Sequence, residues 1–528
     1  MPSRVTEEHV PPARPTTAPR GYILACYEKL LAQDPGRLAV HDDRGLALDR
    51  GELWTLAGDI ERQFREHGLT SGDVVILCMP NWTEWMVAYL AALRADLVPA
   101  TLPVTTDAES IGYVAGLVGA KVLILPTCHR RRDFAAEIHA IATTVGHRLH
   151  VLLIQGDHMN RQWHTVDGST PAPPAYPENL AHILFSSSTT GRSKAIAHSD
   201  SSLSAYNDGV IERYRVTDQQ PIFMPSPLGH STGFWHGARM SIITGAPLVL
   251  QDRWDPARAL QLAEEYRCAI TVAATPFLKD LVDCDSDLPK LRGMRVFLCG
   301  GAPVPPSLIE MAQRQMPDTR IGAIWAMSEG GATSSLPGDE SELVTHTCGR
   351  VLPGVELETI TPEGEIAARG TEGEIVMRTS SQCLGYIGRP EMFQEAFTAA
   401  GYFRTGDLGI VDDNGYLRLT GRLKDLIIRG GINISPVEIE NALATHAGIK
   451  KVAVIGLPDE RLGERICAVV QPEGTAPELD EILTWLAARG FPRRLWPEAL
   501  RVVTAMPETP AGKIRKNALR QAMTKEAV

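Results

Sequence analysis

Short runs of consecutive apolar residues alternate along the chain with stretches that read as helices. "DVVILCM" from Asp73 reads as a buried strand, "TEWMVAYLAALRA" from Thr83 as an amphipathic helix, and "KVLIL" from Lys121 as the next strand. "HVLLIQ", "APLVLQ", "CAITVAA" and "RVFLCGG" repeat the strand pattern. Strands alternating with helices of this length predict parallel sheets covered on both faces, an α/β fold. The pattern changes near Gly421. "GRLKDLIIRGGINISPVEIE" predicts a charged turn, a short strand, a glycine pair and a helix with Ser435 as its cap and Pro436 in its first turn. The strands "KVAVIGL" and "RICAVVQP", the helix "ELDEILTWLAARG", and a strand and helix within "LRVVTAMPETPAGKIRKNALRQA" complete a small α+β domain. Residues 1–20, polar and proline-rich, read as a disordered tail.

Composition narrows the classes. A chain of 528 residues is too long for one core and predicts at least two domains. Its 44% hydrophobic and 22% charged content is that of a soluble globular protein. A net charge of −11 repels polyanions, so no nucleic-acid partner is expected. No apolar run is long enough for a membrane span, and the start lacks the apolar core of a signal peptide. Nine cysteines without a CxxC pair argue against a zinc site or a disulfide framework, and most should be small buried hydrophobes. These features together predict a cytoplasmic location.

The candidate chemistry begins after the strand-like "AHILF". There "SSSTTGRSK" supplies Ser186, Ser187, Ser188, Thr189, Thr190, Gly191 and Lys194. Hydroxyls and backbone N–H groups that converge in one loop suit phosphate oxygens. Taken alone, the run also reads as a solvated polar turn. Gly191-Arg192-Ser193 does not complete GxxxxGK[ST], which excludes a standard P-loop NTPase. Further along stand "PLGHSTGF", "CGGAPV", "AIWAMSEGG", "GYFRTGDLG", "GRLKDLIIRGGINISPVEIE" and "PAGKIRK". In this order, and over nearly the whole chain, these segments resemble the motifs of the ANL adenylate-forming superfamily. That superfamily includes acyl-CoA synthetases, adenylation domains and firefly-type luciferases.

The resemblance implies a two-step ligase. A carboxylic acid attacks the α-phosphate of ATP to give acyl-AMP and pyrophosphate, and coenzyme A then displaces AMP. It implies that the loop from Ser186 to Gly191 and Lys194 hold the β- and γ-phosphates, and that Glu329 binds Mg²⁺. Ser328 should touch the α-phosphate, and Trp325 should stack on adenine with Gly301, Ala302 and Pro303 opposite. Asp407 should accept the ribose hydroxyls, and Arg422 should contact ribose or phosphate. Lys513 should bridge the α-phosphate and the attacking carboxylate. His230 matches a position that gates the acyl pocket, whereas His236 reads as structural. Gly330, Gly331 and Ala332 lie near that pocket; their small size reads either as room for a bulky acid or as a tight turn. By the same resemblance a large domain over 21–423 is joined at a hinge, Lys424, to a mobile domain over 425–528. Rotation would exchange Lys513 for Gly430 and Gly431, which line the coenzyme A channel.

Three positions depart from the family pattern. Ser188 and Ala195 stand where it has glycine, and Ser193 where it has proline. Such changes affect backbone behaviour in the polyphosphate grip and spare the adenylate residues. A complete ligase is one reading. Another is an enzyme that only converts acyl-AMP, supplied by a partner adenylating ligase, into acyl-CoA. The chain also fits an enzyme that loads a carrier protein in trans, or a non-catalytic acyl-adenylate-binding protein.

Overall fold

The computed structural model describes residues 21–156, 160–168, 174–186, 193–284, 291–301, 304–508 and 513–525. The apolar runs build two large sheets. One orders its nine strands 350–351, 330–334, 320–327, 296–300, 270–274, 222–224, 248–250, 38–42, 47–49. The other orders its eight strands 385–386, 195–198, 182–185, 98–101, 74–77, 122–126, 149–154, 161–166. Their central strands pair in parallel and their outer strands antiparallel. Every residue of Val74–Leu77, Val122–Pro126 and Leu149–Ile154 is buried, as strands covered on both faces require.

The helix Thr83–Arg94 differs from its amphipathic reading. All residues from Thr83 to Ala92 are buried. Its Trp85 and Tyr89 share one apolar cluster with Leu77 and Ile124 of the eight-stranded sheet and Val40, Leu248 and Leu298 of the nine-stranded sheet. A helix packed between two sheets has no solvent face to mark with polar residues. Its buried Glu84 is ion-paired with Arg44, and its first N–H donates to Asp42.

A third sheet, not anticipated from the sequence pattern, has four antiparallel strands, 355–360, 372–379, 403–411 and 417–422. The chain then enters the small α+β domain through the turn Leu423–Asp425. Strands 432–434, 427–429, 463–472 and 449–459 pair in that order, and 499–502 runs parallel to 463–472. The helix Pro436–Leu443 begins where expected, with Ser435 at its cap accepting from the Val437 N–H. Five cysteines are buried: Cys78, Cys268, Cys299, Cys383 and Cys467. Among the described residues no helix is long and apolar enough to cross a membrane.

One buried ion pair ties together the elements behind the site. Arg239 ends the widened helical turn Phe234–Arg239 and donates to Asp200 at 2.8 Å. Asp200 opens the helix Asp200–Tyr214 and also accepts the Ile23 N–H at 3.2 Å, which anchors the first helix. Both side chains are almost wholly buried. Removing one charge leaves the other unpaired in the core. Arg239→Met should therefore destabilise the fold by about 3–5 kcal/mol. Asp200→Asn added to it should recover part of that loss, with both variants measured by urea unfolding.

Candidate active site

The candidate residues gather at strand ends and in the turns beyond them. Trp325 lies on the strand Arg320–Met327, and the antiparallel strand Gly330–Ser334 follows it. Ser328 and Glu329 form the turn between them. Gly330 and Gly331 open the second strand at φ 125 and 71. A Cβ on Gly330 would stand 2.3 Å from the Ser381 carbonyl oxygen, and one on Gly331 2.3 Å from the Met377 sulfur. The space beside these glycines is filled, which favours the tight-turn reading over extra acyl room.

Asp407 and Arg422 are direct cross-strand partners. Arg422 Nε lies 2.7 Å from Asp407 Oδ1, and the Trp325 indole N–H donates to Asp407 Oδ2 at 2.8 Å. Asp407 is only 4% exposed, so these donors compensate a buried carboxylate. The Trp325 rings pack with Leu357, Ile375, Met377 and Phe403 in the core of the four-stranded sheet. Its body is thus a core aromatic, while its N–H serves the carboxylate.

Lys513 arrives from the small domain. Its Cε lies 3.4 Å from where a Cβ on Gly301 would stand, and Gly301 has φ 84. Burial lowers the Lys513 pKa to about 8, with repulsion from Arg422 and Lys424 adding to this and Asp407 and Glu329 offsetting it. His230 stands close enough for the Lys513 charge to reinforce burial, and its own pKa falls to about 4. Its imidazole is therefore neutral near pH 7. His230 Nδ1 accepts the Thr232 N–H at 3.3 Å, which leaves the ring proton on Nε2. Ser328 Oγ lies 3.4 Å from Ser231 Oγ, the residue after His230. His236 is structural as expected: it is buried, and its Nε2 meets the Tyr206 hydroxyl at 3.1 Å.

At the neck of the hydroxyl-rich loop, the Ser186 N–H donates to the Lys194 carbonyl at 3.1 Å. The Lys194 N–H donates back to Ser186 Oγ at 3.3 Å. Ser187, Ser188, Thr189, Thr190, Gly191, Ala302 and Pro303 lie outside the described residues. Ala195 is an ordinary residue of the strand Ala195–His198, paired with Phe185. Ala195 does not have positive φ, so its departure from the family pattern carries no left-handed strain. Gly430 and Gly431 form the two-residue tip of the hairpin 427–434, with φ 58 and 80. That turn needs positive φ at both positions and is itself a reason for the pair. The tip is exposed, while Lys513 of the same domain is partly buried in the site. Lys424 sits in the turn Leu423–Asp425 between the four-stranded sheet and the small domain.

Two residues were not anticipated. Tyr386 donates its hydroxyl to Glu329 Oε1 at 2.9 Å and accepts from Lys194 Nζ at 3.3 Å. Burial and the Glu329 charge raise its pKa, so it is a neutral donor. The buried His198, whose pKa falls to about 4, donates from Nε2 to the Ser328 carbonyl at 2.8 Å and holds the Ser328-Glu329 turn. The sequence marks these two only as an isolated tyrosine and a histidine at a strand end. Glu329 is 7% exposed and presents one carboxylate, a hard oxygen donor. That fits Mg²⁺ held jointly with phosphate oxygens and water rather than by an all-protein cage.

Comparisons with known proteins bear on the family and the fold. The family model described as AMP-binding enzyme matches residues 27–387, and that of the AMP-binding enzyme C-terminal domain matches 438–513. The medium-chain fatty-acid–CoA ligase of Escherichia coli is 31% identical over 506 residues, covering 92% of this chain and 88% of that protein. The salicyl-AMP ligase / salicyl-S-ArCP synthetase of Mycobacterium tuberculosis is 31% identical over 505 residues, with the same 92% and 88% coverage. The ATP-bound structure of MatB from Rhodopseudomonas palustris superposes with a TM-score of 0.82 at 26% identity, over 95% of this chain and 99% of that one.

Two outcomes follow from the geometry. Lys513 is cationic below its pKa, so a step that needs its charge should fade as pH rises through about 8. Lys513→Arg, which stays charged to far higher pH, should remove that decline from the pH profile of ATP–pyrophosphate exchange. Trp325→Phe keeps an aromatic body but removes the N–H to a buried carboxylate. It should weaken AMP binding about tenfold by calorimetry, in line with a hydrogen bond to a charged group.

Proposed function

Because the chain belongs to the AMP-binding enzyme family, whose acyl-CoA ligases form adenylates, we propose that it joins a carboxylic acid to coenzyme A. ATP is cleaved to AMP and pyrophosphate, and acyl-AMP is the intermediate. The observation that carries the reading is the approach of Lys513 to Gly301, within the fields of Asp407, Glu329 and Arg422. An acid must approach a polyanion, and a cation fixed between them lowers that barrier. Two unit charges 4 Å apart at an effective dielectric of 20 interact by about 4 kcal/mol, enough to matter to the rate.

In this reading Asp407 takes the ribose hydroxyls on lone pairs not used by Trp325 and Arg422. Ser328 faces the α-phosphate, Lys194 the β- and γ-phosphates, and His230 the acyl group as a neutral imidazole. Glu329 would hold a Mg²⁺ that, when bound, offsets charge on the phosphate oxygens. The small domain then turns at Lys424, withdraws Lys513 and presents the Gly430-Gly431 tip to the pantetheine arm. A pose with Lys513 inside and the tip exposed suits the adenylating half-reaction.

A second reading rests on Ser188 and Ser193. With Ala195 free of left-handed strain, Ser188 and Ser193 carry the weight of any loss of polyphosphate grip. The protein would then complete only the thioester step, on acyl-AMP supplied by a partner ligase. One experiment separates the readings. Purified protein, Mg²⁺, coenzyme A and a panel of acids are supplied with ATP, or with pre-formed acyl-adenylates in place of acid and ATP. Acyl-CoA from both inputs supports the complete ligase, and acyl-CoA from the adenylates alone supports the half-reaction. Product from neither overturns both. For the complete ligase, Lys513→Ala should slow ATP-dependent adenylation about 100- to 1000-fold. The same variant should leave thioester formation from acyl-AMP near wild type.

A further inference from the structure

The segment 383–386 grips Glu329 twice. The Cys383 N–H donates to the Glu329 carbonyl at 2.8 Å, and the Tyr386 hydroxyl donates to its carboxylate at 2.9 Å. Tyr386 also carries Lys194, whose Nζ donates to the phenol oxygen at 3.3 Å and lies 4.4 Å from the ring centroid. A phenol has one proton to give and lone pairs to accept with. Here the proton goes to the carboxylate and a lone pair takes the ammonium. The cation and the anion therefore meet through a neutral hydroxyl rather than in a direct ion pair. The ring is held in place by its surroundings, being 5% exposed with Phe393 packed edge-on at 5.3 Å. Its strand pairs Tyr386 with Ile196, two residues beyond Lys194.

We propose that Tyr386 is a positioning residue that spaces Lys194 from Glu329, so that each stays available to a polyphosphate and its cation. This rests on the proposed adenylation reading and adds a residue to it. A buried, directly bonded Lys–Glu pair must be broken before either partner can serve a ligand. A charge resting on a neutral hydroxyl is held less strongly, because the contact lacks the Coulomb attraction between two opposite unit charges. The aromatic face adds a cation–π seat for the ammonium while the site waits for substrate. Phosphate oxygens can then draw Lys194 away, and a divalent cation can take the Glu329 carboxylate, without first separating opposite charges.

Tyr386→Phe tests this, since it keeps the ring, the Phe393 contact and the cation–π seat. Equilibrium binding of MgATP and of AMP is measured by calorimetry on wild type and variant, with thermal melting alongside. The expected result is about a tenfold loss of MgATP affinity, the scale of one hydrogen bond to a charged group. AMP affinity, which needs neither Lys194 nor Glu329 at a β- or γ-phosphate, should stay within about twofold, and the melting temperature should fall by no more than a few degrees, the cost of one unmet hydrogen bond. Unchanged MgATP binding in the variant overturns the inference alone. Equal loss of AMP and MgATP also overturns it, because the hydroxyl would then be merely structural. Wild-type protein without affinity for MgATP overturns the inference together with the complete-ligase reading.

Discussion

A carboxylate removed from water must be met by donors, and the site is organised around that requirement at Asp407. Trp325 reaches it from the nine-stranded sheet and Arg422 from the neighbouring strand of the four-stranded sheet. The contact joins two sheets that also meet through apolar packing around Trp325. Asp407 also acts beyond its contacts. Its charge helps hold the proton on Lys513, which burial and two neighbouring cations work to remove. The catalytic candidates of the two domains are thus coupled through the field of one buried anion.

The same economy appears around Glu329. Its carboxylate, its carbonyl and the carbonyl of Ser328 before it are held by Tyr386, Cys383 and His198. All three come from the two outermost strands at one side of the eight-stranded sheet or the turn beside them. The turn that carries Ser328 and Glu329 belongs to the nine-stranded sheet, so both large sheets contribute to the candidate phosphate region. The Ser328-Glu329 turn is thereby fixed at three points by groups on or next to strands.

Much of this was legible in the sequence. The continuous apolar runs named the central strands, and Ser435-Pro436 marked a helix start, because both signals are local. The motifs that resemble the adenylate-forming superfamily located most candidate site residues. What escaped was non-local. The helix at Thr83 reads as amphipathic because Thr83 and Glu84 look like a solvent face; their partners, Asp42 and Arg44, lie about forty residues away. Gly330 and Gly331 suggested pocket space, yet a carbonyl and a sulfur from 377–381 fill it. Tyr386 and His198 act through partners 57 and 130 residues distant, and no spacing rule reports such pairs.

The order of strands in the nine-stranded sheet also has a consequence for biosynthesis. Leu38–Asp42 finds its parallel partner only in Leu248–Leu250, across the whole of the other sheet's main body. At ordinary rates of chain growth, roughly 10 to 40 s separate the two strands at the ribosome. Until then the hairpin 38–49 carries an open edge, and the apolar faces of Trp85 and Tyr89 lack half of their cover. The eight-stranded sheet, too, waits for Gly385–Tyr386 to close its edge. The nascent chain therefore spends its early life with two unfinished sheets, and a chaperone that holds the open edge would shield it until its partner emerges.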